Sequence, residues 1–317
     1  MIYDELIKPF FVLAPMDDVT DVSFRQIVAS LSPPDLFFTE FVNVDGLTSQ
    51  GRDRLMIKLK KGKKDRPIIA QLWGSNPDNF RQVASEIKGM GFDGIDLNMG
   101  CPDRTIVKNG CCSALINDRD LAGEIISKTI EGSNDLPVSV KTRIGFNTVD
   151  LSWFDFLMKF DLKVITIHGR TKKEMSKVPA HWDIIGEVVQ MRNKQRPDIL
   201  IVGNGDVENR QDGLEKVRKY GVDGIMIGRG VFKDPFVFST SSPWNQYSPQ
   251  EKIELFSSHI ELFRTNWPNG ERKVAQLFKF AKAYINNFDG ASELRAQLMN
   301  VKTTEEALDI LRGYLVA

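Results

Sequence analysis

Reactive and polar residues recur at one kind of place along this chain, just after a short apolar run. Gly94-Ile95-Asp96-Leu97-Asn98-Met99-Gly100-Cys101-Pro102 is an apolar strand pattern that enters a glycine-containing turn carrying a cysteine. An ordinary thiol titrates near ~8.5, so at neutral pH Cys101 is mostly protonated and can donate a proton to a carbanion forming beside it. The alternatives are a buried inert cysteine and a nucleophile, for which no histidine is an obvious sequence neighbour. Lys141 and Arg143 end another apolar run, and His168 and Arg170 end a third. An ammonium at Lys141 suits an anionic group of a ligand, such as the N1–C2=O edge of a reduced flavin. It equally suits a bridge to a carboxylate such as Asp96. His168 suits a phosphate or a carbonyl, or a buried structural role.

Two glycine turns suggest an anion site. Gly203-Asn204-Gly205-Asp206 and Gly228-Arg229-Gly230 each close an apolar run. Glycine lets backbone amides approach a phosphate, Arg229 adds charge, and residues 231–235 are expected to start a short helix. The remaining run ends carry Pro15-Met16-Asp17, Glu40 and Gln71. One polar residue at a strand end is ordinary, but so many at equivalent places exceed what packing requires.

The elements that must position these groups are eight short β-rich runs, at residues 11–14, 36–39, 68–72, 95–98, 138–141, 164–168, 199–202 and 225–228. Helical patterns fill most gaps. Thr20 or Asp21 caps one, Asn76-Pro77 opens another, and residues 182–192 and 210–220 carry two more. This alternation predicts an α/β fold of parallel strands with right-handed crossovers, and eight strands close a (β/α)8 TIM barrel. An open doubly wound sheet is disfavoured, because no G-x-G-x-x-G follows the first strand. Gly91-Phe92-Asp93-Gly94-Ile95 echoes Gly221-Val222-Asp223-Gly224-Ile225, as two half-barrels would. After residues 239–243, read as a linker, Ser248-Pro249-Gln250-Glu251 is a capping box and the rest is helical in pattern. The expected division is a barrel over residues 1–242 and a small helical domain over 243–317.

Composition narrows the function classes. The 317 residues carry a formal net charge of zero, so no whole-chain field draws in nucleic acid or membrane. The acidic N-terminus lacks a signal-peptide pattern, and no apolar run reaches the roughly 18 residues that span a bilayer. Three cysteines without paired spacing argue against a disulfide framework and for a reducing cytoplasm. With no C-x-x-C and with His168, His181 and His259 not spaced as ligands, no metal is expected. Cys111 and Cys112 are read as inert packing. A basic run, from Arg52 and Arg54 through Lys58, Lys60, Lys61, Lys63 and Lys64 to Arg66, is read as a loop that can reach the strand ends. It fits a solvated face and a track for a phosphodiester backbone equally well. Arg272, Lys273, Lys279 and Lys282, mixed with Phe278, Phe280 and Tyr284, suit RNA or simple core packing.

Taken together, Ala14-Pro15-Met16, Thr39-Glu40-Phe41, Asp96-Leu97-Asn98-Met99-Gly100-Cys101-Pro102, Lys141-Thr142-Arg143-Ile144-Gly145, His168-Gly169-Arg170-Thr171, Asn204-Gly205-Asp206 and Ile227-Gly228-Arg229-Gly230 resemble the bacterial tRNA-dihydrouridine synthases, in order and over nearly the whole chain. The resemblance implies an FMN-binding barrel, a helical domain that grips tRNA, and NADPH or NADH as reductant. It makes Cys101 the acid that protonates C5 of uridine as flavin hydride reaches C6. It puts Pro15, Met16 and Asp17 under the flavin, and Gln71 and Lys141 on the isoalloxazine. His168, Asn204, Gly205, Asp206, Gly228 and Arg229 would hold the phosphate end, and Glu40, Asn98 and Arg143 would face the substrate base. Thr39-Glu40-Phe41 and the short tail lean toward the C-type branch, which modifies position 16. A cytoplasmic monomer without membrane contacts is expected. Two departures stand out: Gly110-Cys111-Cys112-Ser113-Ala114 where members often carry glycine and alanine, and Asp18 where glycine is commoner. The rival readings are a flavin barrel reducing a free pyrimidine, as dihydroorotate dehydrogenases do, and a non-catalytic RNA-binding protein on this scaffold.

Overall fold

Side-chain alternation along the strands separates two apolar layers. In β1 (Phe10–Leu13), Phe10 and Val12 join Phe38, Ile69, Val164, Val202 and Met226 in an inner cluster, whereas Phe11 and Leu13 join an outer layer that packs on helices. This structure, a computed structural model, describes residues 2–316. The other strands are β2 (Phe37–Phe38), β3 (Val42–Asn43), β4 (Ile68–Trp73), β5 (Gly94–Met99), β6 (Val138–Arg143), β7 (Val164–His168), β8 (Leu200–Asn204) and β9 (Gly224–Ile227). All pair in parallel in the order β1-β9-β8-β7-β6-β5-β4-β2, and a bridge from Val12 to Leu36 closes the ring. The chain is therefore the expected eight-staved TIM barrel with added C-terminal helices. Tyr3, on a short N-terminal helix, joins the inner cluster.

The second stave departs from the single predicted run. β2 pairs with Ile68 and Ile69, β3 pairs with Leu72 and Trp73, and residues 39–41 interrupt them. At the break the Thr39 hydroxyl replaces a ladder acceptor, taking the Gln71 N–H at 3.1 Å. Glu40 sits inside this break, not at a strand end.

The half-barrel echo has a physical basis. Gly91 and Gly221 both adopt a left-handed backbone, φ 73° and 72°, that glycine reaches without strain. Two residues on, Asp93 accepts the Ile68 N–H at 2.7 Å and Asp223 accepts the Ile201 N–H at 2.9 Å. The same turn thus ties β5 to β4 and β9 to β8.

Asp21 caps the helix Val22–Leu31 through the Phe24 N–H, and Asn76 caps Pro77–Gly89. Helices Trp182–Gln195 and Arg210–Tyr220 stand where the periodicity predicts them. Behind its capping box, the helix Pro249–Asn266 packs against Val22–Leu31. Phe24 of the barrel stacks on Phe280 with ring centroids 4.8 Å apart, so one apolar cluster runs through both regions.

The basic run is not a single exposed track. Lys58 pairs with Asp17, and Arg52 pairs with Glu86. Lys60 donates to the Asn266 carbonyl and lies over Trp267. Lys61 donates to the carbonyls of Met90 and Gly91, just before β5. Residues 61–66 therefore lie by the strands' N-terminal ends, opposite the rim where the reactive groups collect.

Candidate active site

One row across the sheet sets the rim: Arg143, His168, Asn204 and Met226 are successive partners on β6, β7, β8 and β9. With Pro15, Met16, Lys141, Gly205, Asp206, Gly228 and Arg229 they line a cavity of about 590 Å³. That volume suits a cofactor-sized ligand. The cavity lies at the C-terminal ends of the strands, where a barrel presents its loops.

Lys141 is the notable member. It lines the cavity yet has no hydrogen-bond or ion-pair partner among the described residues. Burial, aided by Arg143, lowers its pKa to about 8, while Asp96 and Cys101 oppose the fall. It thus stays mainly cationic at neutral pH, and a half-buried, desolvated cation without a partner is costly unless a ligand supplies the counter-charge.

Around the glycine turns, Gly205 (φ 122°) admits no side chain, since a Cβ there would lie 2.8 Å from Ala180 Cβ and 3.0 Å from His168 Cδ2. The Asn204 side chain donates to the Met226 carbonyl at 2.8 Å, which fixes the turn to β9. Asp206 faces cations: Arg170 donates to its carboxylate, Arg229 does so at 3.1 Å, and the Ala180 N–H at 2.9 Å. Burial pushes its pKa up, but these donors outweigh it and hold it below the ordinary value. Asp206 therefore aims arginines; its own charge would repel a phosphate. Arg170, which the motif reading quoted without assigning, is 2% exposed and lines the cavity. Its guanidinium lies 3.1 Å from His168 Nε2. An arginine only donates, so Nε2 accepts and the imidazole proton sits on Nδ1. Burial and then Lys141, Arg143, Arg170 and Arg229 hold the His168 pKa well below its ordinary value, so it stays neutral.

The cysteine turn rests on a chain of hydrogen bonds through the barrel. Tyr3 donates to Ser139 at 3.4 Å, Ser139 to Asp96 at 2.6 Å, Gln71 to Asp96 at 2.6 Å, and Asn98 to Gln71 at 3.1 Å. The Asn98 carbonyl oxygen then accepts the N–H groups of Gly100 and Cys101 at 3.1 and 3.0 Å. Arg143 clamps the same turn, donating to the Gly100 carbonyl at 2.8 Å and to the carbonyls of Thr171 and Met175. Burial raises the Asp96 pKa to about 6, tempered by Ser139, Gln71 and Lys141.

Cys101 is partly exposed next to Pro102, which lines the cavity. Its pKa falls from 9.0 to about 7. A hydrogen bond from the Cys112 thiol is the main cause; burial opposes it, and the Asp103 N–H and Arg143 add to it. Cys112 is fully buried with a left-handed backbone, φ 54°, and burial first, then Cys101, raises its pKa well above 9.0. It is thus a partner of Cys101, not inert filler. No sequence signal pointed to this, because the contact depends on how the Gly110–Ser113 turn folds back.

Five expected site residues do not line the cavity: Cys101, Asp17, Gln71, Asn98 and Glu40. Gln71 is fully buried, its amide engaged with Asp96 and Asn98. Glu40 is 1% exposed and accepts from Arg272 and from the Asp18 N–H, so it joins the C-terminal region to the barrel. The carboxylates of Asp17, Asp18 and Glu40 approach one another, but Lys58 and Arg272 already counter them. No helix of the described residues is long and apolar enough to cross a membrane.

Known proteins share both the architecture and the sequence. Among solved structures, histamine dehydrogenase from Rhizobium sp. 4-9 superposes with a TM-score of 0.57 at 12% identity, covering 80% of this chain and 48% of that one. Morphinone reductase in complex with tetrahydroNAD gives 0.50 at 12% identity, covering 74% and 88%. Both show the fold alone. "Probable tRNA-dihydrouridine synthase 2" of Bacillus subtilis (strain 168) is 43% identical over 313 residues, 98% of this chain and 95% of the relative. "Probable tRNA-dihydrouridine synthase" of Staphylococcus aureus (strain COL) is 42% identical over 312 residues, 98% and 94%. The family described as Dihydrouridine synthase (Dus) matches residues 12–316. This chain belongs to the dihydrouridine synthase family.

Proposed function

We propose that the protein is a cytoplasmic oxidoreductase that converts a uridine of tRNA to 5,6-dihydrouridine, with FMN in the rim cavity. The observation that carries the reading is Lys141, a half-buried cation with no hydrogen-bond or ion-pair partner among the described residues, lining a cofactor-sized cavity beside two glycine turns. When bound, FMN reduced by NADPH or NADH supplies the hydride for C6 of the base. Lys141 supports the N1–C2=O edge of the flavin, and Pro15 and Met16 line the loop beneath it. Arg170, Arg229, neutral His168, Asn204, Gly205 and Gly228 hold the phosphate end, with Asp206 orienting the two arginines.

Cys101 donates the proton to C5. A thiol with a pKa of about 7 can release its proton near neutral pH and regain it between turnovers. Asn98 and Arg143 hold the cysteine turn instead of reading the base; Gln71 and Asp96 support Asn98 from below. The uridine must leave its stack to reach this depth.

The large anionic substrate has a place beyond the rim, in the helical region we assign to residues 243–317. A second cavity of about 650 Å³ is lined by Lys233, Lys252, Lys279 and Lys282 with Phe232 and Trp244, and by no carboxylate. Lys233 lines both cavities. This groove, not the residue 52–66 run, supports the phosphodiester track, and it separates the proposal from a free-pyrimidine reductase. Position 16 remains the proposed target uridine. The test is FMN uptake: purified protein incubated with FMN should retain a yellow chromophore after gel filtration. Protein that stays colourless would overturn the cofactor reading.

A further inference from the structure

The loop that carries Met16 into the cavity is gripped from outside by the C-terminal region. Asp18 stands in a left-handed backbone, φ 55°, which costs an ordinary side chain and which glycine adopts freely. Here the aspartate has three partners from one distant segment. Gln276 donates to its Oδ1 at 3.2 Å, Arg272 lies 3.6 Å from the same oxygen, and Lys279 donates to its carbonyl. Glu40, which binds Arg272, accepts the Asp18 N–H at 2.8 Å. Three residues on, Asp21 accepts from Trp267 Nε1 at 2.9 Å. Inside this grip, the Met16 N–H donates to Thr20 Oγ1 at 2.9 Å and Met16 lines the cavity.

We propose that Asp18 is a positioning residue through which Arg272, Gln276 and Lys279 of the C-terminal region fix the Met16 loop against the cofactor, so that the helical region shapes the flavin site as well as the substrate surface. The inference rests on the reading of the cavity as an FMN site. It also accounts for an aspartate at a position whose backbone favours glycine: the strained residue brings a carboxylate to the segment that docks on it.

The test compares the full-length wild type with Asp18→Gly and Asp18→Asn, without tRNA. Asp18→Gly suits the left-handed backbone and keeps the Glu40 contact, so it should fold with an unchanged or higher melting temperature. Its FMN dissociation constant should rise roughly threefold to tenfold, the net size of one typical lost hydrogen bond, because the contact acts on FMN only through the Met16 loop. Its bound-flavin absorption band should move toward that of free FMN. Asp18→Asn keeps the oxygen for Gln276 and tolerates the backbone but loses the charge that faces Arg272, so its FMN affinity should fall between wild type and Asp18→Gly. If Asp18→Gly binds FMN with wild-type affinity and spectrum, the positioning role is overturned while the FMN reading stands. Wild-type protein that takes up no FMN would overturn that reading and this inference together.

Discussion

Replacing Cys112 should move the pH dependence of the reaction without touching the acid itself. The Cys112 thiol is the principal reason that Cys101 titrates at about 7 instead of 9.0. Two pKa units correspond to about 2.7 kcal/mol of preference for the thiolate. In Cys112→Ala that donor is gone, and burial, which opposes it, remains. The Cys101 pKa should therefore rise by roughly one to two units. A general acid works in its protonated form, so turnover with wild type should fall above pH ~7 and the variant's alkaline limb should lie higher. At pH 8 the protonated fraction grows roughly fivefold to tenfold, by the ordinary titration relation. Lys141 also titrates, at about 8, which would distort a rate profile read alone. Iodoacetamide alkylation of Cys101 in FMN-free protein sees only the thiolate, and Cys111 and Cys112 are buried. Its midpoint should shift upward in Cys112→Ala. Cys112→Ser retains a hydroxyl donor and should stay near wild type. An alkylation midpoint that does not move in Cys112→Ala would refute the thiol-to-thiol argument.

Three further outcomes follow from other parts of the structure. Lys141→Met should weaken FMN binding roughly tenfold or more, the scale of a lost hydrogen bond to a charged group, with Lys141→Arg intermediate; an isothermal titration showing equal affinities would remove the lysine from the flavin site. Lys252→Glu with Lys282→Glu should weaken tRNA binding and reduce the slope of log affinity against log salt by roughly one per lysine, while FMN uptake stays unchanged; an unaltered slope would take the groove out of the substrate path. His259 is buried among Phe24, Phe256, Phe280 and Tyr284, and burial lowers its pKa from 6.5 to about 4. Between those values the unfolded chain binds a proton that the folded chain refuses, so stability is complete above pH ~6.5 and declines toward pH ~4 by about 3 kcal/mol. Denaturant melts of His259→Phe should show a shallower acid decline; an identical decline would assign it to other groups.

What the sequence shows well is what repeats locally. Eight apolar runs and their caps reveal the barrel, because strand periodicity and capping chemistry operate within a few residues. Lys141, His168 and the glycine turns are likewise legible, since a barrel brings all strand ends to one rim. The contacts that escaped notice depend on distant partners. Glu40 looks like a free carboxylate until Arg272, 232 positions away, covers it. Asn98 and Arg143 are expected at the substrate base, and nothing local shows that their hydrogen bonds also hold the cysteine turn. The lysines at 58, 60 and 61 fit a solvated face or a nucleic-acid track equally well until each finds a carboxylate or carbonyl of this same chain. Cys112 required the fold of its turn, which Gly110 and a left-handed φ of its own determine.

The central claim is that Cys101 protonates a uridine of tRNA in an FMN-dependent reduction. The most direct measurement maps dihydrouridine along tRNA from cells lacking the gene and from the same cells given wild type or Cys101→Ala. One dihydrouridine position should vanish on deletion, return with the wild type, and stay absent or nearly so with Cys101→Ala, whose purified form still binds FMN; loss of a general acid costs roughly 10²–10⁴-fold in rate. An unchanged dihydrouridine map on deletion would contradict the substrate, and full restoration by Cys101→Ala would contradict the role of the thiol.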